Sequence, residues 1–439
     1  MGYTPFYLTH GAAANDLNGG GPRLGTDDGP VYESANVDSA GNGLTLTDNA
    51  GSPWSGAAAG DWLTFDIAGS QDRTQITGIE GALAVVSTAV TASLTGKAVR
   101  VGGAYGSLDG ALSVLTASMR DHTFGHPAKL NIKADSAYTG NATCDHAGSE
   151  EFPIYVAGYT STPGDGGRAE LQLALDITGK KYIFLRDLYV NPAAVGSAHA
   201  INNVGDECNL YDVWVRSSGL GKHGIYSTSG TNIQVNGCIV VDAGGVGIAL
   251  DNGGTAMGCK VLSAGSYGIY LRHRGLALGN VVSGASGVGV YCALTGLPIV
   301  VGNTIYNCGS HGIARLTYTS GSPALIANNV LVNNAGYGIH QDAEDAIMAL
   351  HNAFRANTSG EYFNVRSEDR IGGVSLSGDP FVNAAGGDFR IDPRKLAGRE
   401  LLAAGFPTQL DTTMLNHLDV GALQAKLKVC AHGPLTGGF

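Results

Sequence analysis

The chain has 439 residues, 67 of them glycine, and only 14 % are charged, against roughly a quarter in an ordinary globular chain. Its 26 Lys and Arg are outnumbered by 37 Asp and Glu, for a net charge of −11, and no basic run appears, so the composition speaks against a nucleic-acid partner. Seven cysteines with no Cys-x-x-Cys spacing exclude a disulfide framework, and no apolar window approaches a membrane span.

Residues 1 to about 50 are rich in Gly, Asn and Asp, as in Asn18-Gly19-Gly20-Gly21-Pro22 and Thr26-Asp27-Asp28-Gly29-Pro30, and read as an extended arm lying on another surface. The opening residues have no basic n-region and no apolar h-region, so the expectation is a protein made in a cytoplasm without an export signal. Asp61 to Ile67, Gln75 to Ile79 and Lys97 to Val101 alternate polar and apolar residues and predict antiparallel strands of a small β-domain. Strands such as Asp61–Ile67 are expected to have unpaired edges that another chain completes. Residues 1–102 are therefore expected to carry assembly, against the alternative of an independent domain with no partner. Leu108, Ala111, Leu112, Leu115 and Met119 share one face of a helix predicted over Ser107–Arg120, capped by Ser107. This helix would close one end of the solenoid predicted over residues 103–425.

From Lys222 to Asp345 one phrase recurs: Gly224-Ile225, Gly247-Ile248, Gly268-Ile269, Gly289-Val290, Gly312-Ile313 and Gly338-Ile339, at steps of 23, 21, 21, 23 and 26 residues. A period near twenty, with turn residues inside each copy, is a solenoid signature. Short β-branched strands bounded by Gly and Asn, with no helical period between them, predict an all-β parallel β-helix whose right-handedness follows the crossover rule. Nine residues before each glycine stand Cys238, Cys259, Asn280, Asn303 and Asn329. These read as an inward ladder at a turn, amides bonding coil to coil and thiols packing as small hydrophobes; the competing reading, a metal or redox site, lacks ligand spacing. The pattern is expected to run once more past Asp345 and then to loosen, with a short helix at Arg394–Ala404, a last strand at Asp419–Gln424 and a tail over 426–439.

Pro380 to Arg390 and Asp419 to Gln424 look like the closing segments of bacterial right-handed parallel β-helix proteins. Gly158 to Arg168, after Val101-Gly102-Gly103-Ala104-Tyr105, resembles β-helix proteins encoded among phage structural genes. The resemblance implies a virion protein of tailspike, fibre-like or capsid-decoration type, a homotrimer contacting other virion proteins through residues 1–100, with an extracellular location as the alternative. It implies no activity, because the fold hosts lyases, hydrolases, adhesins and inert spikes alike.

Alternation turns Tyr226, Tyr270, Tyr291 and His340 outward, two residues after the glycines, with Asp251, Arg272 and Asp342 two further on. Aromatic rings flanked by charge form a sugar-contact surface; the alternatives are a solvated face or one buried against another subunit. For glycoside hydrolysis the carboxylate pair would be Asp242 and Asp251, with Asp342 and Glu344 next. For β-elimination, Lys222, His223, Arg272 and Arg274 offer cations near a base. No cofactor or metal is expected: Gly219-Leu220-Gly221-Lys222-His223-Gly224 lacks a strand-then-helix context, and His122 and His126 are an isolated pair. Asn141-Ala142-Thr143 matches a glycosylation triplet without a secretion signal.

Overall fold

A computed structural model describes residues 4–9, 30–39, 44–59, 61–67, 70–86, 95, 97–101, 103–114, 127–140, 142–192, 199–202, 204–217, 221–227, 230–293, 296–316, 324–342 and 347–402. The chain divides into two compact units, residues 1–172 with 182–188, and residues 173–181 with 189–439.

In the first unit, six strands close into an antiparallel barrel in the order Tyr32–Ser39, Thr45–Asp48, Leu83–Val86, Ser70–Glu80, Trp62–Ile67, Lys97–Val101. Val37, Leu46, Trp54, Leu63, Ile76 and Val99 fill it. The predicted strands are present, but the expected open edges are not: Trp62–Ile67 pairs with Ser70–Glu80 on one side and Lys97–Val101 on the other. The arm is also corrected in part. Tyr32–Ser39 and Thr45–Asp48 belong to the barrel, and Thr4–Leu8 pairs in parallel with Ala128–Lys133. Strands of four to eight residues between Gly-rich stretches show too few alternations to be read from periodicity alone. The helix forms over Leu108–Val114, where the Gly110 N–H donates to Ser107 Oγ at 3.0 Å, as a cap requires; residues 115–120 lie outside the described residues.

The second unit holds most of the solenoid. Each coil adds one short strand to each of three parallel sheets. The first holds Gln234–Asn236, Thr255–Met257, Leu276–Leu278 and their successors to Arg370–Ile371. The second holds Ile239–Val241, Lys260–Leu262 and their successors to Val374–Ser375, and the third Ile225–Tyr226, Ile248–Leu250 and their successors to Gly360–Phe363. Register follows the repeats, as in Ile225↔Ile248↔Ile269↔Val290↔Ile313↔Ile339, and all six side chains are fully buried. Past Asp345 the pattern runs on through Ile347–Leu350, Ala353–Arg355 and Gly360–Phe363, and Arg370–Ile371 and Val374–Ser375 follow as short strands of the next coil.

The glycine of the phrase has a steric cause. A Cβ on Gly247 would sit 2.4 Å from Val261 Cγ1 and 2.6 Å from the Gly268 carbonyl; on Gly268 it would sit 2.2 Å from Val282 Cγ1. Backbone and β-branched side chain meet there with no room for a methyl. Between the second and third sheets the chain turns through one left-handed residue per coil: Asp242, Ser263, Gly284, Asn307, Asn333 and Ala356, with φ between 50° and 68°. Asn, Asp and Gly tolerate this region best.

The Asn ladder is real and longer than read from sequence. Asn280, Asn303 and Asn329 each donate Nδ2–H to the next Asn Oδ1 at 2.9 Å, ending at Asn352. Each Oδ1 also accepts a backbone N–H, from Cys259 N to Asn329 N. A second ladder, Cys308 N–H to Asn334 and Asn334 to Asn357, stands at the next corner. The six described cysteines are buried free thiols, and burial pushes Cys292 and Cys308 up to about 12, so they pack rather than react.

Past the last coil, the hairpin Phe381–Asn383 with Asp388–Ile391 and the helix Leu396–Leu401 lay Phe381, Phe389, Ile391 and Leu401 against Val281, Val330 and Ala353. The hairpin and helix thereby cover the second sheet. The predicted strand Asp419–Gln424 and the tail 426–439 lie outside the described residues.

Candidate functional site

The outer face of the third sheet gathers the predicted rings. Register places Tyr226, Ala249, Tyr270, Tyr291, Ala314, His340 and Phe363 in one outward column. A second column lies beside it, formed by the residue preceding each phrase: His199, His223, Val246, Tyr267, Val288, His311 and Tyr337, of which the sequence reading names only His223. Five rings and two valines fill it, a pattern visible in the repeat alignment, and His199 is found once Ala200-Ile201 is accepted as the same phrase with alanine for glycine.

Together the columns make three ring stacks. His199 and His223 stack at 4.4 Å, with Tyr226 at 4.2 and 4.7 Å from them. Tyr267 stacks on Tyr291 at 4.5 Å and Tyr270 joins at 5.4 Å. His311 stacks on His340 at 4.1 Å, and Phe363 on His340 at 4.8 Å. Ala249 and Ala314 separate the stacks. Near-parallel rings at close to the strand spacing of about 4.8 Å face one another along the coil axis, so edges and hydroxyls face outward.

The histidines are held neutral. His199 Nδ1 accepts the His223 N–H at 3.0 Å, His223 Nδ1 the Val246 N–H at 2.8 Å, and His311 Nδ1 the Tyr337 N–H at 3.0 Å, which leaves the ring proton on Nε2. Burial, then the neighbouring His199 and Lys222, lowers His223 to about 4. Burial and His340 do the same to His311, against Asp342. Burial lowers His340 and, with Lys222, His199. Glycine makes room for the rings: a Cβ on Gly245 would meet His223 Nδ1 at 2.6 Å, and one on Gly336 would meet His311 Nδ1 at 2.4 Å.

Beside the middle stack lies a charge cluster. The buried Asp251 carboxylate pairs with Arg272 Nη1 at 3.3 Å and lies 3.8 Å from His273 Nε2, while its other hydrogen bond comes from the Asn252 N–H. Burial raises the Tyr270 hydroxyl, against the pull of Arg272. The structure thus brings Asp251, Arg272, Tyr270 and Tyr291 together. It sets Tyr226 in the first stack and His340 in the third, where Asp342 Oδ1 is 3.8 Å from His340 Nδ1.

Asp242 is elsewhere. It occupies the left-handed corner ahead of strand Ile248–Leu250, whereas Asp251 follows that strand, and its partner is Arg216 at 3.0 Å. Backbone conformation accounts for an Asp at 242, and no cation joins the two carboxylates. Glu344, His122, His126 and Asn141 lie outside the described residues, as do Gly219 and Leu220; Gly221 is a turn residue at φ 70°. Among the described residues no cluster of three His, Cys, Asp or Glu suits a metal ion, and no helix is long and apolar enough to cross a membrane.

Residues 224–379 match the family model described as the right handed beta helix region, in keeping with the three parallel sheets of the coils. No curated protein matches the chain. Among solved structures, a pectate lyase is 13 % identical over 73 % of this chain and 91 % of its own, at TM-score 0.43. A pectin methylesterase from Aspergillus niger is 14 % identical over 68 % and 92 %, at 0.35. The enzymatically active domain of tailspike protein 2 of bacteriophage CBA120 is 11 % identical over 79 % and 52 %, at 0.31. Likenesses of this size assign no activity.

Proposed function

We propose that this is a phage virion protein, of tailspike, fibre-like or capsid-decoration type, whose β-helix holds a host-surface polysaccharide against the ring strip of the third sheet. One observation carries the reading: three partly exposed ring stacks, aligned coil upon coil on a single outer face, with Arg272 fixed by Asp251 beside the middle one. Tyrosine hydroxyls and histidine Nε2–H groups offer hydrogen bonds, and ring edges offer apolar contact, the mixture a sugar surface needs. Neutral histidines add donors without charge.

The virion role rests on the sequence resemblance and on a small barrel ahead of the solenoid. Since that barrel is closed, attachment is assigned to its outer surface, where Leu44, Leu83 and Val85 are exposed, and the assembly is a homotrimer. A second reading, a polysaccharide lyase, has its own observation: Asp251, Arg272 and His273 place a carboxylate, a cation and an imidazole together, the groups β-elimination uses.

Titrating the full chain against purified capsular and lipopolysaccharide glycans, neutral and acidic, tests the reading. Binding that weakens in Tyr270→Ala and Tyr291→Ala, with no unsaturated product absorbing in the ultraviolet, supports it. Absence of binding across the panel removes it, and product formation replaces it with the lyase. Light scattering, with mass spectrometry of purified particles, tests the trimer and the virion.

A further inference from the structure

Where the turn of the hairpin Phe381–Asn383 with Asp388–Ile391 meets the second sheet, a groove of about 440 Å³ remains between them. That volume lies within the range of small-molecule sites, about 300–1,000 Å³. One wall belongs to the solenoid. Register carries Leu262, Ser283 and Tyr306 in one outward column. The next residue of each coil, Ser263, Gly284 and Asn307, is the left-handed corner residue. Gly284 leaves the corner without a side chain between Ser263 and Asn307, on the coils to either side. The opposite wall is the hairpin turn, with Ala384 and Ala385. Both walls are held in place. The Tyr306 ring stands edge-on to Phe381 and Phe389, at 6.3 and 5.5 Å. Lys260 Nζ donates to the Gly387 carbonyl at 3.3 Å, and Asn383 Oδ1 accepts the Gly386 N–H at 3.1 Å.

The polar side chains of this groove are uncommitted. Among the described residues, nothing hydrogen bonds the Oγ of Ser263 or Ser283, the side-chain amide of Asn307 or the Tyr306 hydroxyl. One coil earlier in the same corner column, Asp242 is engaged by Arg216. Each of the four uncommitted groups can both donate and accept, and Leu262, Ala384 and Ala385 add apolar contact beside them. No lining residue is charged. The ions flanking the turn are already engaged, Lys260 by the Gly387 carbonyl and Asp388 by Arg390 at 2.6 Å. A charged ligand would therefore lose water without gaining a counter-charge, whereas hydroxyls on an apolar ring match both kinds of wall. We infer that this groove is a sugar site in its own right, taking a short neutral saccharide. It lies on a different sheet from the ring strip and does not depend on it.

The experiment titrates the full chain with maltose, lactose and cellobiose, followed by saturation-transfer NMR and calorimetry. Millimolar binding of at least one is expected. Asn307→Gly combined with Ser283→Ala should weaken it about tenfold, the scale of two lost hydrogen bonds. Glycine keeps the left-handed turn at 307, so the variant retains its fold, which an unchanged thermal midpoint verifies. Ala385→Trp, placed on the exposed turn, fills the groove and should abolish binding. If none of the three disaccharides binds the unaltered chain, the inference is overturned. Binding that survives Ala385→Trp overturns it as well, because the groove is then not the site. A signal lost in Tyr270→Ala but kept in the groove variants assigns the disaccharide to the ring strip, which overturns this site and leaves the polysaccharide reading standing.

Discussion

The buried Asn ladder and the ring strip are both columns produced by one repeat, yet they do opposite work. From Asn280 to Asn352 every rung of the ladder is asparagine, buried, with each amide hydrogen bonded to the next coil. In the strip the rungs differ, alternating Tyr, His, Ala and Val, and they are partly exposed. Where a column must satisfy buried polar atoms coil after coil, asparagine is the recurring solution and the rungs repeat. A column facing solvent has many, and variation there reflects what the face meets. Uniformity therefore marks stability in this solenoid, and irregularity marks function.

Breaking the ladder should have the largest effect on folding. Asn303→Ala removes an amide that donates to Ala277 O and Asn329 Oδ1 and accepts from Asn280. Orphaning these buried groups should cost about 3 kcal/mol, read as a lower urea midpoint, with glycan affinity unchanged in the protein that remains folded. Tyr270→Ala should do the reverse: about tenfold weaker polysaccharide binding by calorimetry, the scale of one lost aromatic contact, with little change in midpoint.

Acid sharpens the contrast, because the histidines belong to the strip and the ladder amides do not titrate. His223 and His311 have folded values near 4, below the ordinary value of about 6.5. The unfolded chain therefore binds the proton first as pH falls. Stability contributed by these rings is complete above about pH 6.5 and drains away toward pH 4. Urea midpoints at pH 7.5 and 4.5 should show the loss, and His311→Gln should make it smaller. A slope unchanged in the variant would locate the acid sensitivity in other groups.

The smallest effect is expected at Asp242. Asp242→Gly keeps the left-handed turn and loses only a solvent-exposed pair with Arg216, so stability should move by less than about 0.5 kcal/mol and binding not at all. If a glycan-cleaving activity exists and this substitution abolishes it, the reading of Asp242 as a turn residue fails.

Much of this molecule was legible because a solenoid turns sequence period directly into spatial register. The Gly-Ile phrase placed Ile225 through Ile339 in one inward column, and placed Tyr226, Tyr270, Tyr291 and His340 outward. The ladder from Cys238 to Asn329 was visible on the same ground. Neighbouring coils are neighbours in sequence, so little long-range information is needed. What the period could not supply was everything nonlocal. The closure of the barrel joins Tyr32–Ser39 to Lys97–Val101, some sixty residues away, and short strands carry no mark of their partner. The pairing of Thr4–Leu8 with Ala128–Lys133 is of the same kind. The commitment of Asp251 to Arg272 and of Asp242 to Arg216 also depends on where side chains reach across coils, because an ion pair is fixed by distance and burial, which residue order alone does not encode.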